Sequence, residues 1–333
     1  MHLQVMDVDR IPYLVAAIFL TMVIGVMTGA LAGNANSFFW GLLDIVFGRA
    51  GDRLDRKNRS EGDLVFRGFL FCIFLVVISF MLGQGLLYIL KGSFYAEMGV
   101  VALCLTSGSV WYMILKLYFA LSKTGKAEGA YYGLSRSARL DLNTLDDYGI
   151  TREGIAFSAT AFDKGLVAPA VWYLIGGLPV MMIYSAVSFA AWRFGKNGFG
   201  SGFGKIALAL EKLMGFVPSL FSGFLLTAAT SVTPTAKITK ALAAWWQGKD
   251  QASYEQGGVV LSAMAWPLEV SLGGPVQSLS GDALKKAWVG PENASAQVEH
   301  VHLKRAIIMN VVAHLVFVLA LLFAYIYGTR FFV

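Results

Sequence analysis

The clustered acidic residues of this chain fall mostly in one stretch, 123–164: Asp141, Asp146, Asp147, Glu153 and Asp163, the last beside Lys164. Carboxylates gathered near a membrane surface suit a Mg²⁺ ion next to a phosphate group. Asp141 and Asp146 also stand where turns and helix starts want a capping oxygen, so composition alone favours an ordinary hydrophilic loop.

Other candidate chemistry is thinner. The stretch 194–205 is rich in glycine and ends in Gly204-Lys205, which invites comparison with a phosphate-binding loop. That loop needs a glycine five places before the Gly-Lys pair and Ser or Thr after it. Phe199 and Ile206 occupy those places, so an interfacial loop is the better reading. His2, His300, His302 and His314 form no metal box, and no Ser-His-Asp or Cys-His pairing stands out. Cys72 and Cys104 sit in apolar runs and read as small core residues. Asn310 and His314 lie inside the last apolar run, where polar side chains usually bond to neighbouring helices. Glu269, two residues after Pro267, is a carboxylate at apparent membrane depth and hence a candidate functional group.

The elements that must carry these groups are membrane helices. Apolar residues make up 56% of the 333 residues and charged residues 14%, well short of the quarter or so typical of soluble domains. The chain reads as all-α, a single polytopic membrane domain over 1–333 with about five to seven membrane segments. Five runs are long enough to span: 11–33, 64–90, 99–121, 214–232 and 306–327. Two more are ambiguous. Segment 258–274 contains Pro267 and Glu269, and 165–192 is interrupted by Gly176-Gly177-Leu178-Pro179. Broken helices survive at membrane depth only where protein or a water-filled cavity satisfies the freed backbone, so 165–192 is predicted to be a re-entrant hairpin of two half-helices. In that case 258–274 must span. Gly25, Gly29 and Gly33 recur every fourth residue, a pattern that lets another helix approach closely, most simply within the same chain.

Basic residues are unevenly placed. Arg49, Arg53, Arg56 and Arg59 follow the first run, Arg136, Arg139, Arg152 and Lys164 follow the third, and Lys285, Lys286, Lys304 and Arg305 precede the last. The positive-inside rule puts these loops in the cytoplasm and both termini outside. The net charge of +6 is therefore a loop property that speaks to orientation, with the lipid bilayer as partner and no nucleic acid. The mixed-charge stretch 48–63 reads as a juxtamembrane helix near anionic lipid heads.

Phe39-Trp-Gly-Leu-Leu with the basic stretch to Arg67, followed by Asp141 with Leu145-Asp146, resembles the CobD/CbiB family: the first is similar to that family's Trp-Ile-Gly-x-Leu-Ile helix and the second fits Gly-Arg-Asp-Thr-x-x-Leu-Asp. Gly165-Leu-Val-Ala-Pro169, Trp172 and Gly176-Gly177 fit Gly-Val-Val-Ala-Pro-Leu-Phe-Trp and its Gly-Gly; Lys196-Asn197 and Leu272-Gly273-Gly274-Pro275 fit later motifs. The departures fall on polar positions. Glu-Asn-Thr-x-Asp-Gly becomes Thr160-Ala-Phe-Asp-Lys-Gly165, Asn-Thr-Leu-Asp becomes Ser188-Phe-Ala-Ala191, Ser-Pro-Asn-Ala-Gly-Trp-Pro becomes 254–260, and an Arg becomes Ser271.

The resemblance implies a bacterial inner-membrane protein of cobalamin biosynthesis, an adenosylcobinamide-phosphate synthase. Such an enzyme joins adenosylcobyric acid to an aminopropanol or its phosphate, with ATP and Mg²⁺ as cofactors and a corrinoid as small-molecule partner. On that expectation Asp141, Asp146, Asp163 and Lys164 are the catalytic candidates. Gly165, Pro169, Trp172, Lys196, Asn197, Gly273 and Gly274 are the substrate-binding ones. A framework retained while polar positions change also fits a non-catalytic membrane sensor or assembly protein, as in AmpE-like relatives of the same superfamily. A transporter fits less well, since few ionisable residues lie within the spans.

Overall fold

The computed structural model describes residues 7–30, 33–56, 58–90, 92–122, 128–195 and 202–331. The candidates Lys196 and Asn197, and most of the glycine-rich loop, lie outside them. The described residues are mostly helical, with one two-stranded sheet. Among the described residues, five helices are long and apolar enough to cross a membrane, or six if one bent pair is a single span.

The first helix, α1 (Ile11–Thr28), ends five residues before the sequence-expected limit because Gly29 and Gly33 turn the chain with φ of 70° and 74°. Of the three spaced glycines Gly25 meets another helix's backbone, where a Cβ would lie 2.2 Å from the Ser109 nitrogen, while Gly29 and Gly33 lie against the rings of Tyr112 and Tyr132. The stripe packs within the chain. Next come α2 (Phe38–Leu43) and α3 (Arg49–Leu54), joined by a π-helical turn at Asp44–Gly48, and then α4 (Glu61–Leu90). The expected span 99–121 is a pair, α5 (Phe94–Cys104) and α6 (Gly108–Ser122), bent by 41°.

After α7 (Glu128–Ala138) comes the longest helical stretch, 48 residues, built from α8 (Asp147–Phe162), a π-helical turn at Asp163–Val167 and α9 (Ala168–Phe194). It is a hairpin. Gly177 has φ 68° and ψ −161°, which breaks the helix, and Pro179 restarts it where a missing N–H costs nothing. Leu174 accepts a hydrogen bond from Asp7 and Tyr173 bonds to Glu97, at the end of the bundle where α1 begins. Trp192 donates to the Ser137 carbonyl at the opposite end, where Ser137 also holds Ala35. The 18 residues of α1 set those ends about 27 Å apart.

The hairpin differs from expectation in one respect. Its first arm is not a short half-helix from 165 but begins at Asp147, so 147–176 is long enough to cross. Sequence missed this because 147–163 carries Arg152, Glu153, Ser158 and Asp163, polar groups turned into the protein rather than toward lipid.

The next helix, α10 (Lys205–Ala229), starts where Gly204 abuts the Phe194 carbonyl. Beyond it are α11 (Ile238–Ala243), a π-helical turn at Ala244–Gly248, and α12 (Gly258–Leu268). Lys237 donates to the Pro267 carbonyl, Val270 bridges to Ser295, and Arg152 in α8 bonds to Ala296. The segment 237–296 therefore gathers beside the start of α8. The expectation that 258–274 spans is corrected: α12 has 11 residues, about 16 Å, and stops at Glu269 in the left-handed conformation. Glu269 is exposed and pairs with Lys237 at 2.6 Å, so it is a surface ion pair.

The strands β1 (Leu272–Gln277) and β2 (Ala283–Val289) form an antiparallel hairpin over the start of α8, and Asp141 donates its N–H to the Gln277 carbonyl. The last helix, α13 (His300–Phe331), returns to the first end, where Gly328 lies beside Val8.

Candidate functional site

A cleft of about 140 Å³, open to solvent, sits at the Ser137 end between α8, the returning arm of α9, α10, the lead into α12 and β2. Its walls include Trp40, Phe157, Trp192 and Leu208, and its polar groups are Glu153, Thr160, Lys164, Glu211, Glu255, Gln256 and Lys286. A mostly apolar concavity with a few convergent polar groups is the usual form of a ligand site.

Two ion pairs dominate it. Lys164 Nζ lies 2.8 Å from Glu211 Oε2, and Lys286 Nζ lies 2.7 Å from Glu153 Oε2. Glu211 and Glu153 are buried, and a buried carboxylate needs such a partner to stay charged. The Lys164 ammonium also stands 4.9 Å above the Tyr254 ring, a cation–π contact. Behind Lys164, buried Asp163 accepts a 2.7 Å hydrogen bond from Ser222 Oγ.

The π-helical turn explains how adjacent residues reach two places. A π insertion adds a residue to the turn and re-aims its side chains, and such turns recur at functional sites. Here Asp163 points to Ser222 and Lys164 to Glu211. Gly165 follows because nothing larger fits: a Cβ would lie 2.0 Å from Thr106 Cγ2, while its carbonyl accepts from the Thr106 N–H.

Beneath the cleft three buried hydroxyls, Tyr184, Ser188 and Tyr254, lie near one another without a hydrogen bond of normal geometry among the described residues. Tyr184 lies close to Glu211, Asp163, Ser188 and Tyr254. Unpaired buried hydroxyls are uncommon and call for a reason. Burial also pushes the Tyr254 hydroxyl far above the usual tyrosine range, so it is a neutral donor.

The remaining candidates have other surroundings. Asp141 caps a turn, its Oδ1 accepting from the Asn143 backbone and side chain, and Asp146 caps α8 by accepting from Gly149 at 2.7 Å. Neither lines the cleft. Pro169 is buried in the first turn of α9, and Trp172 bonds to the Met214 carbonyl. Gly273 and Gly274 have φ of 103° and 94° and let β1 close on β2, where a Cβ on Gly273 would lie 2.1 Å from the Ala287 carbonyl oxygen. No group of three His, Cys, Asp or Glu side chains that could hold a metal occurs among the described residues.

A second cleft adjoins the first across Trp192, lined by Asp52, Asp55, Arg139, Arg193 and Asp282 among others. Burial, and then the charge of Arg193, pulls Arg139 down to about 10, while the nearby aspartates offset part of this.

Sequence reasoning missed Glu211, Lys286 and Tyr254, and counted Glu153 only among the clustered loop carboxylates. Glu211 carried a signal, a carboxylate inside an apolar stretch, but the span read as 214–232 left it out. Lys286 and Glu153 are far apart in sequence and look like loop charges until β2 folds over α8.

No solved structure resembles the chain closely enough to match. Among curated proteins, one from Sinorhizobium fredii, called cobalamin biosynthesis protein CobD, is 28% identical over 276 residues, covering 78% of this chain and 82% of that protein. A protein of the same name from Brucella anthropi is 29% identical over 57% of this chain and 60% of its own length. Another from Rhizobium meliloti is 28% identical over 68% of this chain and 72% of its own. The profile of the CobD/Cbib protein family matches residues 16–310, most of the chain. With its membrane helices, hairpin and cleft in view, this chain belongs to the CobD/CbiB family.

Proposed function

We propose that this protein acts in cobalamin biosynthesis as an amide-forming synthase that binds a corrinoid at the cleft, with a polar lining changed from the family pattern. One observation carries this reading. The stretches that depart from the pattern, 160–165, 188–191 and 254–260, are distant in sequence and meet at one place. Thr160, Lys164, Gly165, Ala191, Glu255 and Gln256 line the cleft, with Ser188 and Tyr254 beneath it. Motif positions that converge on one concavity are expected where a family does its chemistry.

In this reading the aromatic and aliphatic walls take an edge of the macrocycle, and the acyl carbon sits over Lys164. Amide formation places negative charge on an oxygen as the amine attacks, and Lys164 and Lys286 are the cations placed to stabilise it. Glu211 orients Lys164, and Asp163 or Glu211 takes the proton the amine loses. ATP would supply activation of the carboxyl by phosphorylation, and that phosphate would leave with the C–O bond as the C–N bond forms. Mg²⁺ does not fit the cleft carboxylates as they stand, since Glu153, Glu211 and Glu255 are held by Lys286, Lys164 and Lys212. No step is assigned to a metal. The positive-inside rule puts the cleft on the cytoplasmic side of the inner membrane and both termini outside.

The same neutralised pairs favour a second reading, a corrinoid-responsive protein without catalysis. Complementation of a synthase-deficient strain, with equilibrium binding of adenosylcobyric acid, separates the two. Rescue by wild type and by Asp141→Asn but not by Asp163→Asn or Lys164→Met supports the synthase with chemistry in the cleft. Binding without any rescue favours the second reading, and absence of both removes the corrinoid proposal.

A further inference from the structure

The helical segment 38–54 is amphipathic in an unusual sense, because its uncovered face is apolar. Phe38, Leu42, Ile45 and Val46 recur at helical spacing, and Ile45 and Val46 are 79% and 55% exposed. The opposite face is tied down: Phe39, Trp40 and Leu43 are buried, and Gly51 lies against the Phe194 ring. Phe47 packs edge-on against Phe74 of α4, whose own neighbours Phe69, Leu70 and Ile73 form an exposed apolar face. The segment is thus level with the part of α4 that faces hydrocarbon, and it lies across the bundle end rather than through it.

Charge completes the pattern. The segment's acidic groups are engaged within the protein: Asp44 and Asp52 by Arg193 at 2.9 and 2.6 Å. Asp55 is likewise engaged. Arg49, Arg53 and Arg56 stay exposed beside the apolar face, and no carboxylate pairs with them among the described residues. Apolar side chains directed into the acyl boundary, with guanidinium groups just above, match a leaflet of negatively charged phospholipid.

We infer that 38–56 is an in-plane helix that binds anionic phospholipid headgroups through Arg49, Arg53 and Arg56. The site bears on the cleft through Arg193, which follows the cleft wall Trp192 and holds the helix by Asp44 and Asp52. Seating the helix in the leaflet fixes that wall from outside.

The test uses the full chain in detergent, titrated with phosphatidylglycerol, phosphatidylcholine or inorganic phosphate, with retained lipid counted by native mass spectrometry. Wild type should hold phosphatidylglycerol over phosphatidylcholine by about tenfold or more, and Arg49→Gln/Arg53→Gln/Arg56→Gln should lose that preference. Added salt should weaken it. Equal retention of both lipids, an unchanged preference in the variant, or competition by inorganic phosphate would each overturn the inference. A spin label at Ile45→Cys in phosphatidylglycerol vesicles gives an independent reading. It should be accessible to oxygen and shielded from a water-soluble nickel chelate, and the reverse would sink the proposal without relying on the arginine variant.

Discussion

Two groups of polar side chains are buried among the helices, and they are finished differently. On α13, Asn310 accepts from the Trp111 indole and donates to the Ser158 carbonyl, while His314 bonds to the Asn310 carbonyl oxygen between the rings of Trp111 and Phe162. Only His314 Nε2 is left without a partner, and neither Asn310 nor His314 lines either cleft. Around Lys164 the charges are matched, yet the neighbouring hydroxyls of Tyr184, Ser188 and Tyr254 make no hydrogen bond of normal geometry and the cavity above them opens to solvent. A polar cluster that closes on itself holds helices together. One that remains incomplete beside an opening is set up for a molecule that completes it.

That contrast fails most visibly if Lys164 and Glu211 are merely structural. Lys164→Met alone leaves a nearly inaccessible carboxylate without its cation, which should cost about 3–5 kcal/mol in an unfolding titration. Lys164→Met with Glu211→Leu removes both charges and should recover most of the stability. The double variant should still fail to complement a synthase-deficient strain or to bind adenosylcobyric acid as wild type does. A double variant that regains stability and function together would reduce the pair to packing.

The π-helical turn is the next lever, since it aims Asp163 and Lys164 apart. Gly165→Ala drives a methyl into Thr106 Cγ2 and should destabilise by about 1–3 kcal/mol. Adding Thr106→Ser removes that Cγ2 and keeps a hydroxyl for the Ala35 carbonyl, so the double variant should return to within about 0.5 kcal/mol of Thr106→Ser alone. Failure to recover would locate the strain elsewhere in the turn.

The sequence showed the hairpin's tip but not its length. Gly176-Gly177-Leu178-Pro179 cannot continue a helix, and that much is local chemistry. Arg152, Glu153 and Asp163 disguised the first arm, because hydropathy assumes every face of a spanning helix meets lipid, whereas this one meets β2, α10 and α13. The same assumption placed a span at 258–274, an apolar run that is apolar because it is packed inside protein. The catalytic candidates divided along similar lines. Asp163 and Lys164 belong to the buried arm, while Asp141 and Asp146 hold turns through capping bonds that composition had already made the simpler reading. Glu211, Lys286 and Tyr254 come from segments that only the tertiary fold brings together.

The closed cluster should behave as glue. Asn310→Ala breaks its bonds to Trp111 and Ser158 and should cost about 1 kcal/mol, close to measured values for hydrogen bonds between membrane helices. Complementation and corrinoid affinity should stay at the wild-type level. A selective loss of affinity, with stability kept, would make α13 part of the site and erase the distinction between the clusters.

The smallest effect on stability should be the most telling one on function. Tyr184→Phe and Ser188→Ala each delete a hydroxyl that makes no hydrogen bond of normal geometry in the protein, so little is lost on folding. Removing a buried, unsatisfied polar atom should leave stability within about 0.5 kcal/mol of wild type, or raise it slightly. If those hydroxyls bond to the ligand that fills the cleft, each deletion should weaken corrinoid binding by about fivefold to tenfold, the equivalent of one neutral hydrogen bond. Equilibrium binding and an unfolding titration on the same samples read the two quantities together. A loss in stability with no loss in affinity would mean that the hydroxyls bond within the protein, and the open cluster would then be as closed as the one on α13.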